Sequence, residues 1–242
     1  WGNIMDPLYK LSEKLRWSWG VVTHLNGVCN SNEFRKAHAE QQPEIIHFTN
    51  RLGQSQTIYR ALYKLKETSL NNLNHTQIRI LDSTLLSMDQ RGVGLDDKTK
   101  EDFNNDSARL AEISTLFSNN VLDATNNWSI LLDDKLDVEG LPKRALEILA
   151  LSAKKTGDFN KKTNSEPNAE QGPWRLGLDM PRYIPFITYS NNRALREKIY
   201  RAYVSRASVG EQNNQDLIDE ILTIRKRQAQ RLGYENWAEV SL

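Results

Sequence analysis

The stretch "FNNDSARLAEISTLFSNNVLDATNNW", residues 103–128, decides the fold class. Phe103, Ser107, Leu110, Ser114, Phe117, Val121, Ala124 and Trp128 recur at alternating steps of four and three, the spacing that lines side chains along one face of an α-helix. No Gly or Pro interrupts them. The pattern predicts a single helix over 98–128, about 45 Å long and well beyond the average globular helix. Phe117, Val121 and Trp128 are expected to be buried along it.

The same periodicity continues on both sides. Leu8, Leu11, Leu15, Trp19, Val22 and Leu25 predict a helix over 7–28. Ser31 is placed to cap a short second helix, and Pro43 suits the first turn of a third that carries Ile46, Leu52, Ile58, Leu62 and Leu65. Asn74 and Gln77 form a capping box for a helix through Ile78, Leu81, Leu85 and Met88, which "RGVGL" then breaks. On the far side lie a helix from Pro142 to Lys155, a short one through Tyr183 and Phe186, one from Asn192 to Ala207 with a Glu197–Arg201 pair, and one from Asn214 to Leu232. Leu217, Ile218, Ile221, Leu222, Ala229 and Leu232 are expected to form the buried face of the last.

Only "SILLDD" and "WRLGLDM" alternate like strands, and they pair as one antiparallel ribbon of residues 129–133 and 174–179. Between them "GDFNKKTNSEPNAEQGP", residues 157–173, is polar and rich in turn formers, which predicts an exposed loop with little order of its own. The fold class is therefore mostly α: an irregular array of long antiparallel helices with one small two-stranded β-ribbon. The organisation reads as a helical region over 1–156, the exposed loop over 157–173, and a short strand with helices over 174–242.

Composition narrows the function. The chain has 242 residues, 38% apolar and 26% charged, with a formal net charge of +1. Such a chain is globular and has no global field to draw in nucleic acid or an anionic membrane. No apolar run is long enough to span a bilayer, and "WGNIMDPLYK" lacks the features of a signal peptide. A single cysteine, Cys29, excludes an internal disulfide and favours an intracellular setting. Three N-x-S/T matches, at Asn74, Asn105 and Asn127, are what chance supplies in so Asn-rich a chain.

Chemistry-bearing patterns are absent. The four histidines, His24, His38, His47 and His75, never fall at i, i+3 or i+4, and there is no His-Glu-x-x-His, nucleophile elbow or phosphate loop. "RGVGL" reads as a turn. Asp96 with Asp97 and Asp133 with Asp134 sit where helix starts and turns use carboxylates. The basic run "RKRQAQR", residues 225–231, follows Asp216, Asp219 and Glu220 on one helix, where its dipole favours cations near the C-terminus. No residue is assigned a catalytic, cofactor-binding or metal-binding role.

"VVTHLNGVCNSNEFRKAHAEQQPEI", "STLFSNNVLDATNNW", "NNRALREKIYRAYVSRAS" and the closing "RLGYENWAEVSL", taken in order, resemble the zinc metallo-oligopeptidases of the thimet oligopeptidase, neurolysin and oligopeptidase A family. The resemblance implies a mostly helical, two-lobed, channel-forming peptidase. In that family zinc is held by the two histidines of His-Glu-x-x-His and a downstream Glu, with the motif's Glu activating water. Those residues come later in the family's sequence than Leu242, so none maps onto this chain. In "RLGYENWAEVSL", Gly233 closes one helix and Asn236 with Glu239 opens another that has room for fewer than two turns. The expectation is an N-terminal, channel-wall portion whose partners are short peptide substrates and a C-terminal catalytic portion, in the cytoplasm or, for an organellar relative, in chloroplast or mitochondrion. On this reading zinc belongs to the parent protein and the chain alone is inactive. A free-standing helical protein-interaction module is the alternative.

Overall fold

The computed structural model describes residues 1–69, 72–160 and 164–242. Its described residues are mostly helical: α1 (Met5–Val28), α2 (Asn32–Gly53), α3 (Gln56–Ser69), α4 (His75–Gln90), α5 (Asp97–Asn127), α6 (Lys143–Lys155), α7 (Met180–Tyr189), α8 (Arg193–Val204), α9 (Gln215–Arg231) and α10 (Trp237–Ser241). Strands β1 (Ser129–Leu132) and β2 (Trp174–Gly177) pair antiparallel with Ile130 opposite Leu176 and Leu132 opposite Trp174. The mostly helical class, the ribbon and the long helix stand as the sequence predicts them.

Local chemistry accounts for the boundaries. The Ser31 side chain accepts from the Phe34 N–H to start α2, and Asn74 with Gln77 forms the expected reciprocal cap on α4. Gly233, at φ +85°, ends α9 as only glycine does without strain. Asn236 then caps α10 through the Glu239 N–H.

One boundary differs. Pro43 lies inside α2 rather than opening a third helix, and the break falls at Gln54. Proline removes one backbone donor but keeps a helical φ. The neighbouring Gln42 amide donates to Thr115 Oγ1 on α5 at 2.9 Å, which holds α2 on course at that point.

The described residues form two compact units, one of residues 1–116 with 216–242, the other of residues 117–215. The first unit has a core of Met5, Leu62, Leu81, Leu85, Met88 and Val93. Its α5 segment meets α9 along a polar seam. Gln228, buried, donates to Phe103 O and to Ser107 Oγ, and Arg227 and Arg231 both grip the buried Asp106.

The second unit is built on the ribbon. Trp174 and Leu176 are fully buried beside Leu149 and Phe186. The Arg182 guanidinium lies over Gly177, in the space a Cβ would occupy. Asn214, 2% exposed, donates to Phe117 O at 3.1 Å and accepts from Asn120 at 2.8 Å, tying the turn before α9 to the second half of α5.

Three packing expectations are corrected. Phe117, Val121 and Trp128 are half-buried, and the deepest α5 positions are Phe103, Asp106 and Ile113. Phe103 belongs to the stripe, whereas Asp106 and Ile113 lie one step round from Ser107 and Ser114, and Asp106 is buried against Arg227 and Arg231 of α9. On α9 itself Ile218 and Leu222 are exposed, while Ile224, Gln228 and Ala229 are buried; the seam with α5 selects a face that carries a polar residue. The run 157–173 has more structure than its composition suggests. Arg175 clasps Asp158 with two bonds of 2.7 and 2.6 Å, isolated bridges join Asn160 to Ser165 and Asn168 to Gly172, and Pro173 is buried. Residues 161–163 of that run lie outside the described residues.

If this face assignment holds, Ile113→Ala costs about 3 kcal/mol and the half-buried Phe117→Ala about 2 kcal/mol or less. Urea melts of the two variants check it. A larger loss at Phe117 would return the core to the stripe read from the sequence.

Candidate functional site

The residue types able to carry chemistry are dispersed over helix surfaces or engaged in local structure. His24 is exposed on α1, His38 buried and His47 exposed on α2, and His75 exposed on α4. Among the described residues no three His, Cys, Asp or Glu side chains are grouped to hold a metal ion. The four histidines therefore do not fit a zinc centre, and no chemical step is assigned to a metal on them. Cys29 is exposed at the C-cap of α1.

The carboxylate pairs have structural partners. Asp96 accepts from the Lys98 and Thr99 N–H groups at 3.1 Å and caps α5; hydrogen bonds from Thr99 hold its carboxyl below the usual range. Asp134 accepts from the Leu136 N–H at 3.0 Å. The basic run is also engaged: Arg227 and Arg231 bind Asp106, and Arg225 lies 5.8 Å from the Trp237 ring centroid. Burial pushes the Asp106 carboxyl up, but hydrogen bonds and charge from Arg227, then Arg231, outweigh it, so its pKa is lowered. Residues 225–231 thus offer a seam cation pair, not an open basic stripe.

Two features escaped the sequence reading. His38 stacks on Trp19, with ring centroids 4.7 Å apart, and its buried Nδ1 has no hydrogen-bond partner. The two residues stand on different helices, so no spacing rule links them. The second is a cavity between α1, α2, α3 and α4 with Arg91 on its rim, where the sequence showed only a turn.

Comparison with known proteins decides the family. The sequence profile described as "Neurolysin/Thimet oligopeptidase, N-terminal domain" matches residues 1–100, and that of "Peptidase family M3" matches residues 186–242. The "Organellar oligopeptidase A, chloroplastic/mitochondrial" of Arabidopsis thaliana is 40% identical over 243 residues, taking in all of this chain. The chain belongs to the thimet oligopeptidase and oligopeptidase A family. Its similarity to other members is equally continuous. A "Probable cytosolic oligopeptidase A" of Arabidopsis thaliana is also 40% identical, and "Oligopeptidase A" of Escherichia coli is 34% identical over 248 residues. The chain spans about a third of the length of these relatives, 30% to 35%. No helix of the described residues is long and apolar enough to cross a membrane.

The His38 site makes a pH prediction. Burial lowers the imidazole's pKa, so below about pH 6.5 the unfolded chain takes up a proton that the folded chain resists. The contribution is present above that pH and is lost as pH falls below it. His38→Phe, which keeps a ring against Trp19, is expected to flatten the fall in urea midpoint between about pH 6.5 and 5. An unchanged slope in that variant would show that His38 is not its source.

Proposed function

We propose that this chain forms the N-terminal, channel-wall portion of a zinc-dependent oligopeptidase that hydrolyses short peptides. The observation that carries the reading is the 34–40% identity to oligopeptidase A proteins along the whole chain. On this reading residues 174–242 lead into a catalytic portion that brings the metal-ligating histidines, and the 242 residues themselves limit substrate access rather than perform chemistry. The relatives' names include chloroplastic/mitochondrial and cytosolic forms, and this protein acts in one of those compartments. Neither nucleic acid nor membrane enters the role.

The surface is consistent with such a role. Trp17, Val21 and Val28, which are 66%, 54% and 62% exposed, share the face of α1 opposite its packed side. Surfaces of this kind suit burial against further protein.

Ligand count sets the test, since a catalytic zinc takes three protein ligands and an open position. A chain continued through the family's metal motif is expected to contain stoichiometric zinc and to cleave a quenched fluorescent oligopeptide, with loss of cleavage on chelation. The 242 residues alone are expected to do neither. Chelator-sensitive cleavage by the 242-residue chain would overturn the assignment.

A further inference from the structure

The cavity between α1, α2, α3 and α4 has a volume of about 360 Å³, within the range of small-molecule sites. Its floor is apolar and buried: Met5 at 3%, Leu62 at 0% and Met88 at 4% exposure, with Leu8 and Ile58 beside them. One wall is polar in an ordered way. Ser83, Ser87 and Arg91 follow one another at four-residue steps along α4 and its C-cap, about 6 Å apart, and all three line the cavity.

The hydroxyls of Ser12, Thr49 and Thr84 donate to carbonyls of their own helices, at Leu8, Ile45 and Ile80. Ser83 and Ser87 make no such bond among the described residues. Among the described residues Arg91 is the only charged one lining the cavity, and its guanidinium has no acidic partner.

Two contacts fix where that cation stands. The buried Gln54 donates its amide to Arg91 O at 2.8 Å and exchanges bonds with Asn104, which sets the Arg91 backbone. The Arg91 stem then lies across Gly53, where a Cβ would collide with its Cδ. A cation without an acidic partner among the described residues, standing with the Ser83 and Ser87 hydroxyls on the exposed side of a half-open apolar pocket, is complementary to a carboxylate with an aliphatic body.

We infer that this cavity binds an aliphatic carboxylate, with the carboxylate on Arg91 and Ser87 and the apolar chain against Met5, Leu62 and Met88. The site is independent of peptide hydrolysis and of the reading proposed above. Free fatty acids and the carboxyl end of an apolar peptide share this chemistry.

Calorimetric titration of the 242-residue chain with octanoate, octanol, octylammonium and N-acetyl-leucyl-leucine tests it. Saturable one-to-one binding of a carboxylate is expected, tighter than octanol or octylammonium by about tenfold. A preference for octanoate assigns the site to fatty acids and one for N-acetyl-leucyl-leucine to peptide ends. Arg91→Gln should remove the carboxylate's advantage over octanol, and Arg91→Glu should transfer it to octylammonium. Gly53→Ala, which keeps the charge but displaces the Arg91 stem, should weaken carboxylate binding several-fold with an unchanged far-UV circular dichroism spectrum. Absence of saturable binding, octanoate and N-acetyl-leucyl-leucine both no tighter than octanol, or indifference to Arg91→Gln would each overturn the proposal.

Discussion

Within the first unit, α9 is tied to the first half of α5 through one buried carboxylate. Asp106, 6% exposed in the first half of α5, is gripped by Arg227 and Arg231 from α9. Closing a loop of this length costs roughly 4 kcal/mol in chain entropy, and residues 216–242 join residues 1–116 only because something offsets it. A carboxylate taken out of water is itself costly unless paired and hydrogen-bonded. Here each oxygen receives guanidinium bonds, including one of 2.9 Å from Arg227 Nε. Gln228 and the Arg109–Glu220 pair extend the seam, and Gln90 donates to Val240 O at 2.6 Å to fasten α10. Without the Asp106 clamp the seam would lose its centre, and the packing face of α9 with it.

That clamp explains what the sequence could and could not disclose. Helix existence was legible because period and caps are local: Ser31, Asn74, Asn236 and Gly233 each act within four residues of themselves. The ribbon was legible for the same reason, since Trp174 and Leu176 alternate with Arg175. Which face of a helix is buried is a tertiary matter. On α9 the buried side includes Gln228, and on α5 it includes Asp106, so a rule that equates apolar with buried chose neighbouring positions at Phe117, Ile218 and Leu222. Pro43 misled because a proline's helical φ is compatible with a helix interior when neighbours such as Gln42 are anchored elsewhere. Among the described residues of 157–173, Arg175 meets Asp158 at a distance of 17 positions, which composition does not register.

The chemistry follows the same division. His24, His38, His47 and His75 were set aside on spacing, and the fold distributes them over three helices. Recognition of the family depended on long ordered matches, including the α5 segment and the end of α9, rather than on a reactive residue. Such segments encode packing, so a chain can belong to a peptidase family while its own side chains are committed to helix seams. The Arg91 cavity shows the converse: a residue read as part of a turn acquires a position from Gln54 and Gly53 that only the folded backbone creates.

The most direct measurement is a double-mutant cycle between Asp106→Ala and Arg231→Ala, followed by urea unfolding. If the buried carboxylate is what returns α9 to α5, the two losses should be strongly non-additive, with a coupling of about 1–3 kcal/mol. Losses that add within about 0.5 kcal/mol would mean that α9 is held by its apolar contacts alone, and would contradict the account.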